Sequence, residues 1–197
     1  HPHRWAEELF ASPESIRRWL DSFQWWQIWT GSHELGAVAA VVDAPQGVEL
    51  PEEWAEWTLL ALTEKLDDAT GFWKNGPLDR IWRRPTTIDL GGAAHFWWIY
   101  HHFGHPIPYP EKVISGVLAL QRRTGLWGTR LFNGAYPQGI DFDALNGLRL
   151  AWSQLPDGDR LVRRGEIVAA LDRYSCAADA HLDGAGVKAI PALGADG

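Results

Sequence analysis

The sequence predicts an all-α chain assembled from helical hairpins. Three observations carry that expectation. Strand signals are nearly missing, and β-branched pairs such as Val41-Val42 fall inside a helical pattern. Helix-opening signals recur along the chain. One phrase, Thr-Gly-apolar-Trp, closes two helical segments 54 residues apart, at Thr70-Gly71-Phe72-Trp73 and at Thr124-Gly125-Leu126-Trp127.

The elements follow in order. Ser12-Pro13-Glu14 reads as N-cap, N1 proline and early acid, and opens a helix to about Phe23. Gly31 to about Asp43 is a second helix, apolar and rich in small residues. Pro51-Glu52-Glu53 opens a third, to about Leu66. Asp89 precedes a fourth, 89–103, apolar nearly all round and therefore expected to be buried. Pro110-Glu111 opens the next, in which Val113, Ile114, Val117, Leu118 and Gln121 recur at helical spacing. Ile140 or Asp141 opens a sixth, with Ala144, Leu145, Leu148, Ala151 and Trp152 on one stripe. Asp157-Gly158-Asp159 starts the last, through about Tyr174. Residues 182–197 read as a loop-like tail.

Two kinds of helix alternate. Segments 52–66, 110–122 and 159–175 are amphipathic, whereas 31–43, 89–103 and 141–154 are more apolar. That alternation suits an outer layer facing water and an inner layer covered on both sides. Gly31-Ser32-His33 and Gly92-Ala93-Ala94-His95 start successive inner helices about 60 residues apart. The two Gly-Trp phrases end successive outer ones. The chain is thus an internal repeat of stacked hairpins.

Bulk properties narrow the function classes. The 197 residues suit one domain, and 46% hydrophobic residues suffice for a core. A net charge of −7 argues against a sequence-independent nucleic-acid binder, which needs a basic face. No apolar run is long enough to span a membrane. One cysteine, Cys176, excludes an internal disulfide framework and a multi-cysteine zinc site, and is compatible with a cytosolic location. No resident metal or cofactor is expected. The 13 tryptophans suggest an aromatic core or an aromatic-lined cavity.

Gln121, Gly125 and Trp127 spell Q-x-x-x-G-x-W after an apolar helix, and Asp67, Gly71 and Trp73 repeat it with Asp for Gln. This resembles the QW repeat of the terpenoid cyclase and protein prenyltransferase superfamily, whose fold is an α/α toroid. The phrases GSH, GGAAHF, YHHFGHPIPYPEKVI and DFDALNGL are similar to bacterial members of that superfamily. The resemblance covers residues 31–176. It implies a single α/α-toroid domain with a structural role for Asp67, Gly71, Trp73, Gln121, Gly125 and Trp127. A ring of about six hairpins at ~50 residues each needs about 300 residues. The chain is therefore read as a fragment or an open partial ring, completed by a missing segment or a partner.

Two constellations could carry chemistry. Asp141 and Asp143 resemble the D-x-D-D acid of class II terpene cyclases, with Ala144 at its fourth position. That resemblance implies Asp143 as a protonated acid and Asp141 as its neighbour. Helix capping is the alternative reading of the pair. The second is His95, Trp98, Tyr100, His101 and His102, with Trp97 and His105 nearby. Residues 95, 98 and 102 share one helical face and 97 and 101 another. Aromatic faces stabilise carbocations, whereas His, Tyr and Trp together also suit a carbohydrate site. The expected ligand is accordingly a small apolar molecule such as an isoprenoid. The alternatives are a carbohydrate-active enzyme and a non-catalytic binding or scaffold module.

Overall fold

A computed structural model describes residues 4–42, 50–73, 84–128 and 138–184. The described residues form eight α-helices and no strand: α1 (Arg4–Leu9), α2 (Pro13–Asp21), α3 (Ile28–Val42), α4 (Trp54–Glu64), α5 (Thr87–His102), α6 (Pro110–Leu120), α7 (Gln138–Gln154) and α8 (Asp157–Gly184). A 3-10 turn, Trp25–Gln27, leads into α3.

Local chemistry fixes most boundaries. Ser12 caps α2 by accepting the Ser15 backbone N–H, ahead of Pro13. Thr86 and Asp89 form a reciprocal capping box on α5. Asp89 therefore sits inside the helix at its third position, where the sequence reading placed it just before the start. α3 begins three residues earlier than Gly31, because the 3-10 turn feeds straight into it. α7 begins at Gln138, so Asp141 lies inside the helix. α8 runs to Gly184, ten residues past Tyr174, and takes residues 182–184 from the expected tail. The rest of that tail lies outside the described residues. α1 has no clear opening signal, yet Ala6 and the adjoining Phe10 are fully buried.

The helices pack in two rows. α3, α5 and α7 touch in sequence, and α7 also packs on α6. α2 packs on α4 and α6 on α8. Within a row the helices run parallel, because residues about fifty apart meet side by side. Arg17 pairs with Glu64, Arg163 donates to Ser115, and Gln121 donates to the Ala170 carbonyl, separations of 47, 48 and 49 residues. Lys65 pairs with Asp21, and Lys112 donates to the Asp68 carbonyl, in the same sense. Between rows the sense reverses: Tyr100, late in α5, donates to the Leu59 carbonyl in α4, and Phe103 meets Trp54 at its start. Antiparallel hairpins with parallel like-helices are what the sequence repeat demands.

The aromatic residues largely build the core between the rows. Trp73, Trp97, Trp127, Phe10, Phe72 and Phe96 are all fully buried. Edge-on ring pairs connect them, Trp73 with Phe96 at 4.9 Å and Phe72 with Trp97 at 5.4 Å.

The repeated phrase has one physical job at both places. Gly71 and Gly125 take positive φ, 76° and 91°, where only glycine is unstrained. The following tryptophan then turns back under the helix it has left. Trp73 Nε1–H donates to the Leu62 carbonyl at 2.8 Å, and Trp127 Nε1–H to the Val117 carbonyl at 2.7 Å. Both carbonyls belong to the last helical turn, where in-helix donors run out. Trp25 does the same for Leu20 at 2.8 Å, without the glycine phrase. The first hairpin thus carries a third version that its sequence does not announce.

Gln121 and Asp67 differ in reach. Gln121 Nε2 donates to both the Gly125 and Ala170 carbonyls at 2.8 Å, and its Oε1 accepts from Arg173. It binds its own turn to α8. The shorter Asp67 closes only its own turn, accepting from the Ala69 backbone and the Thr70 hydroxyl. Arg163 of α8 also lies at a contact between helices. It is half-buried between α6 and α8, near Ser115.

Candidate functional site

The residues singled out in the sequence fall in three places. The first is the start of α7. Asp141 is buried, and its Oδ1 accepts the backbone N–H of Trp127 at 2.7 Å and of Gly128 at 3.2 Å. The carboxylate thereby ties the Gly125–Trp127 turn to α7, in a different manner from the helix cap considered above. Asp143 is only 8% exposed. No hydrogen bond or ion pair reaches its carboxyl among the described residues. Burial alone pushes its pKa up to about 7. An ionised carboxylate is costly in such surroundings, so the acid keeps its proton to near neutrality.

The next turn of α7 after Asp143 packs against an aromatic ring of α5. Gly147 leaves room for the ring of Trp97: a Cβ there would stand 2.5 Å from Trp97 Cζ3. Trp97 is fully buried, and its Nε1–H has no partner among the described residues. The contact between α5 and α7 therefore holds an unsatisfied polar group, the Trp97 Nε1–H. Native interiors keep few such groups, and each calls for a reason.

The second place is the exposed flank of α5. Trp98 is 40% exposed and stacks on His102, with ring centroids 5.0 Å apart and planes 16° from parallel. His101 is also exposed, rather than sharing the buried side of Trp97 as its spacing suggested. Half-buried His95 lies one turn from Trp98 and meets α3. Its Nδ1 is 2.9 Å from Ser32 Oγ, and its ring centroid is 4.1 Å from that of His33. Trp29 stands edge-on to His95 at 5.9 Å. Burial, with a smaller contribution from His33, lowers the pKa of His95 to about 4. α3 and α5 can approach this closely because Gly91 and Gly92 face Trp29 and Ile28.

The third place is the hairpin interior, and Tyr100 is there. It is buried against α4, where its hydroxyl donates to the Leu59 carbonyl at 2.9 Å and lies 2.6 Å from Thr63 Oγ1. Burial pushes its pKa up to about 12. Tyr100 thus points away from the flank carrying Trp98, His101 and His102.

The predicted aromatic and imidazole cluster is accordingly divided. His95, Trp98, His101 and His102 share the exposed side of α5, Tyr100 faces α4, and the two aspartates are buried on α7. Ser32 and His33 join His95 without having been singled out as ligands. Their signal was present: the phrases that contain His33 and His95 recur on successive inner helices, and parallel neighbours bring such positions together.

Among the described residues no group of three or more His, Cys, Asp or Glu side chains could hold a metal. No helix among them is long and apolar enough to cross a membrane. No family model, curated protein or solved structure matches the chain.

Proposed function

We propose that this chain is an α/α-toroid-type protein, resembling terpenoid cyclases and prenyltransferases, in which Asp143 is the acid for an apolar unsaturated substrate. The observation that carries the reading is a buried Asp143 carboxyl with no partner and a pKa near 7. A neutral carboxylic acid can pass its proton to an alkene carbon. The C=C π pair then forms the new C–H bond, a carbocation is left on the adjacent carbon, and the acid becomes a carboxylate. The Trp97 ring, packed at Gly147 one turn along α7 from Asp143, is a π face of the kind that stabilises such a cation. Asp141 acts as a positioning residue, since it ties the Gly125–Trp127 turn to the helix that carries Asp143.

Parallel packing in both rows supports an array that continues as a partial ring. So does the far edge of that array. α7 and α8 flank an apolar groove of about 300 Å³ floored by Leu148, Trp152 and Ile167. Leu161, Val168 and Leu171 are exposed along α8 beside it. A further hairpin, or a partner, fits an edge of this character.

The test is turnover of isoprenoid substrates by wild type, Asp143→Asn and Asp143→Glu. The Asn variant is expected to lose at least ~10²-fold in rate, with partial recovery in Glu. Undiminished turnover in Asp143→Asn, or no turnover or binding of any isoprenoid by wild type, overturns the reading. A second reading, a carbohydrate-active site, draws on the exposed Trp98–His102 stack, a surface suited to a sugar face. An oligosaccharide panel run alongside separates the two, because Trp98→Ala then abolishes binding while Asp143→Asn leaves it intact.

A further inference from the structure

We propose that His33 and His95 form a two-imidazole site for a borderline divalent metal ion, Ni²⁺, Cu²⁺ or Zn²⁺, across the α3–α5 contact. The proposal stands apart from the acid chemistry of Asp143.

The contacts of Ser32 favour one tautomer of His95. The Ser32 hydroxyl carries one hydrogen, and it is directed to the Trp29 carbonyl at 2.8 Å. In that arrangement Ser32 Oγ faces His95 as an acceptor and the ring proton sits on Nδ1. The lone pair is left on Nε2. Among the described residues no hydrogen bond engages His95 Nε2. A histidine whose second nitrogen donates to a fixed oxygen is the usual arrangement in metal centres, because that bond orients the ring.

His33 supplies the second nitrogen. It lies on the exposed side of α3, with its ring centroid 4.1 Å from that of His95 and 5.7 Å from that of Trp29. Imidazole nitrogens bind such ions at ~2.0–2.1 Å, so two rings at this separation can reach one ion after a small rotation of His33. Water completes the coordination. Neutral imidazoles without thiolate or carboxylate select Ni²⁺, Cu²⁺ and Zn²⁺ over Mg²⁺ and Ca²⁺. Trp29, edge-on to His95, walls one side. Because the ligands come from two helices, a bound ion clamps α3 to α5 and raises the melting temperature.

The experiment titrates Ni²⁺ alone into the full chain by calorimetry and follows thermal unfolding in parallel. The expected result is a one-to-one component, with a rise in Tm, that His33→Ala and His95→Ala each abolish. The double variant should lose no more than either single one. Ser32→Ala, which leaves both ligands in place, should weaken the same component by ~10-fold or more. His101→Ala/His102→Ala should leave it unchanged. His33 is exposed, so His33→Ala gives a clean answer even where His95→Ala unfolds. Wild-type Ni²⁺ affinity in a folded His33→Ala variant, or no one-to-one binding by wild type, overturns the proposal.

Discussion

Asp143 couples folding to pH in a way that one substitution can read. In the unfolded chain its carboxyl titrates near the usual aspartate value of about 4, whereas in the folded protein burial raises it to about 7. The folded state thus holds a proton that the unfolded state gives up between these values. Stability from this group is full below about pH 4, falls as pH rises, and is lost once pH passes about 7. Three pH units at ~1.4 kcal/mol each set a ceiling of about 4 kcal/mol, and residual hydration of the carboxyl brings the expected effect to ~2–3 kcal/mol. Asp143→Asn has nearly the same shape and cannot ionise. Urea unfolding of both proteins from pH 4 to pH 8 should show equal stability at pH 4 and a growing advantage for the Asn variant. Above pH 7 that advantage should reach ~2–3 kcal/mol, a stabilisation obtained by deleting the proposed acid. A difference between the two proteins that does not change with pH refutes the argument, because the carboxyl would then titrate alike in both states.

Three further outcomes test the architecture. Trp127→Phe keeps most of the buried ring but removes the donor to the Val117 carbonyl, and should cost ~1–3 kcal/mol in urea unfolding. Gly125→Ala must fit a Cβ 2.3 Å from the Arg173 carbonyl oxygen at φ 91°. It should cost ~3 kcal/mol in urea unfolding, whereas Gly104→Ala, at φ 71° with nothing nearby, should cost only ~1–2 kcal/mol. Gln121→Ala removes the bonds to Gly125, Ala170 and Arg173. Hydrogen exchange should then speed up around residues 165–175 of α8, with α3 and α5 unaffected.

Helix identity was legible in the sequence wherever the determinants are local. Ser12-Pro13 and Pro110 mark true starts, and Gly71 and Gly125 mark true turns, because capping and positive φ depend on a few adjacent residues. The repeat was equally legible, since a recurring phrase reflects a recurring junction. α1 was missed because its anchoring comes from buried contacts of Ala6 and Phe10 rather than from a cap. The start of α7 was placed late because Asp141 looks like a cap by type, while its carboxylate serves a turn formed thirteen to fourteen residues earlier in the chain.

The candidate site shows the same division. Residue type singled out His95, Trp98, Tyr100, His101 and His102, and the resemblance to a D-x-D-D acid singled out Asp141 and Asp143. Direction within a helix cannot separate the faces of α5, which is apolar nearly all round, so the assignment of Tyr100 to α4 and of His95 to α3 awaited the packing. The raised pKa of Asp143 likewise arises from what surrounds it, not from Asp141 beside it in sequence.

By itself, then, the sequence determined the all-α class, the hairpin period and the turn chemistry, all of which follow from residues within a few positions of one another. Only the tertiary structure decided which aspartate is tied and which is left unpaired, and which histidines meet. Those outcomes depend on burial and on contacts between helices about fifty to sixty residues apart, whose facing sides no local pattern specifies.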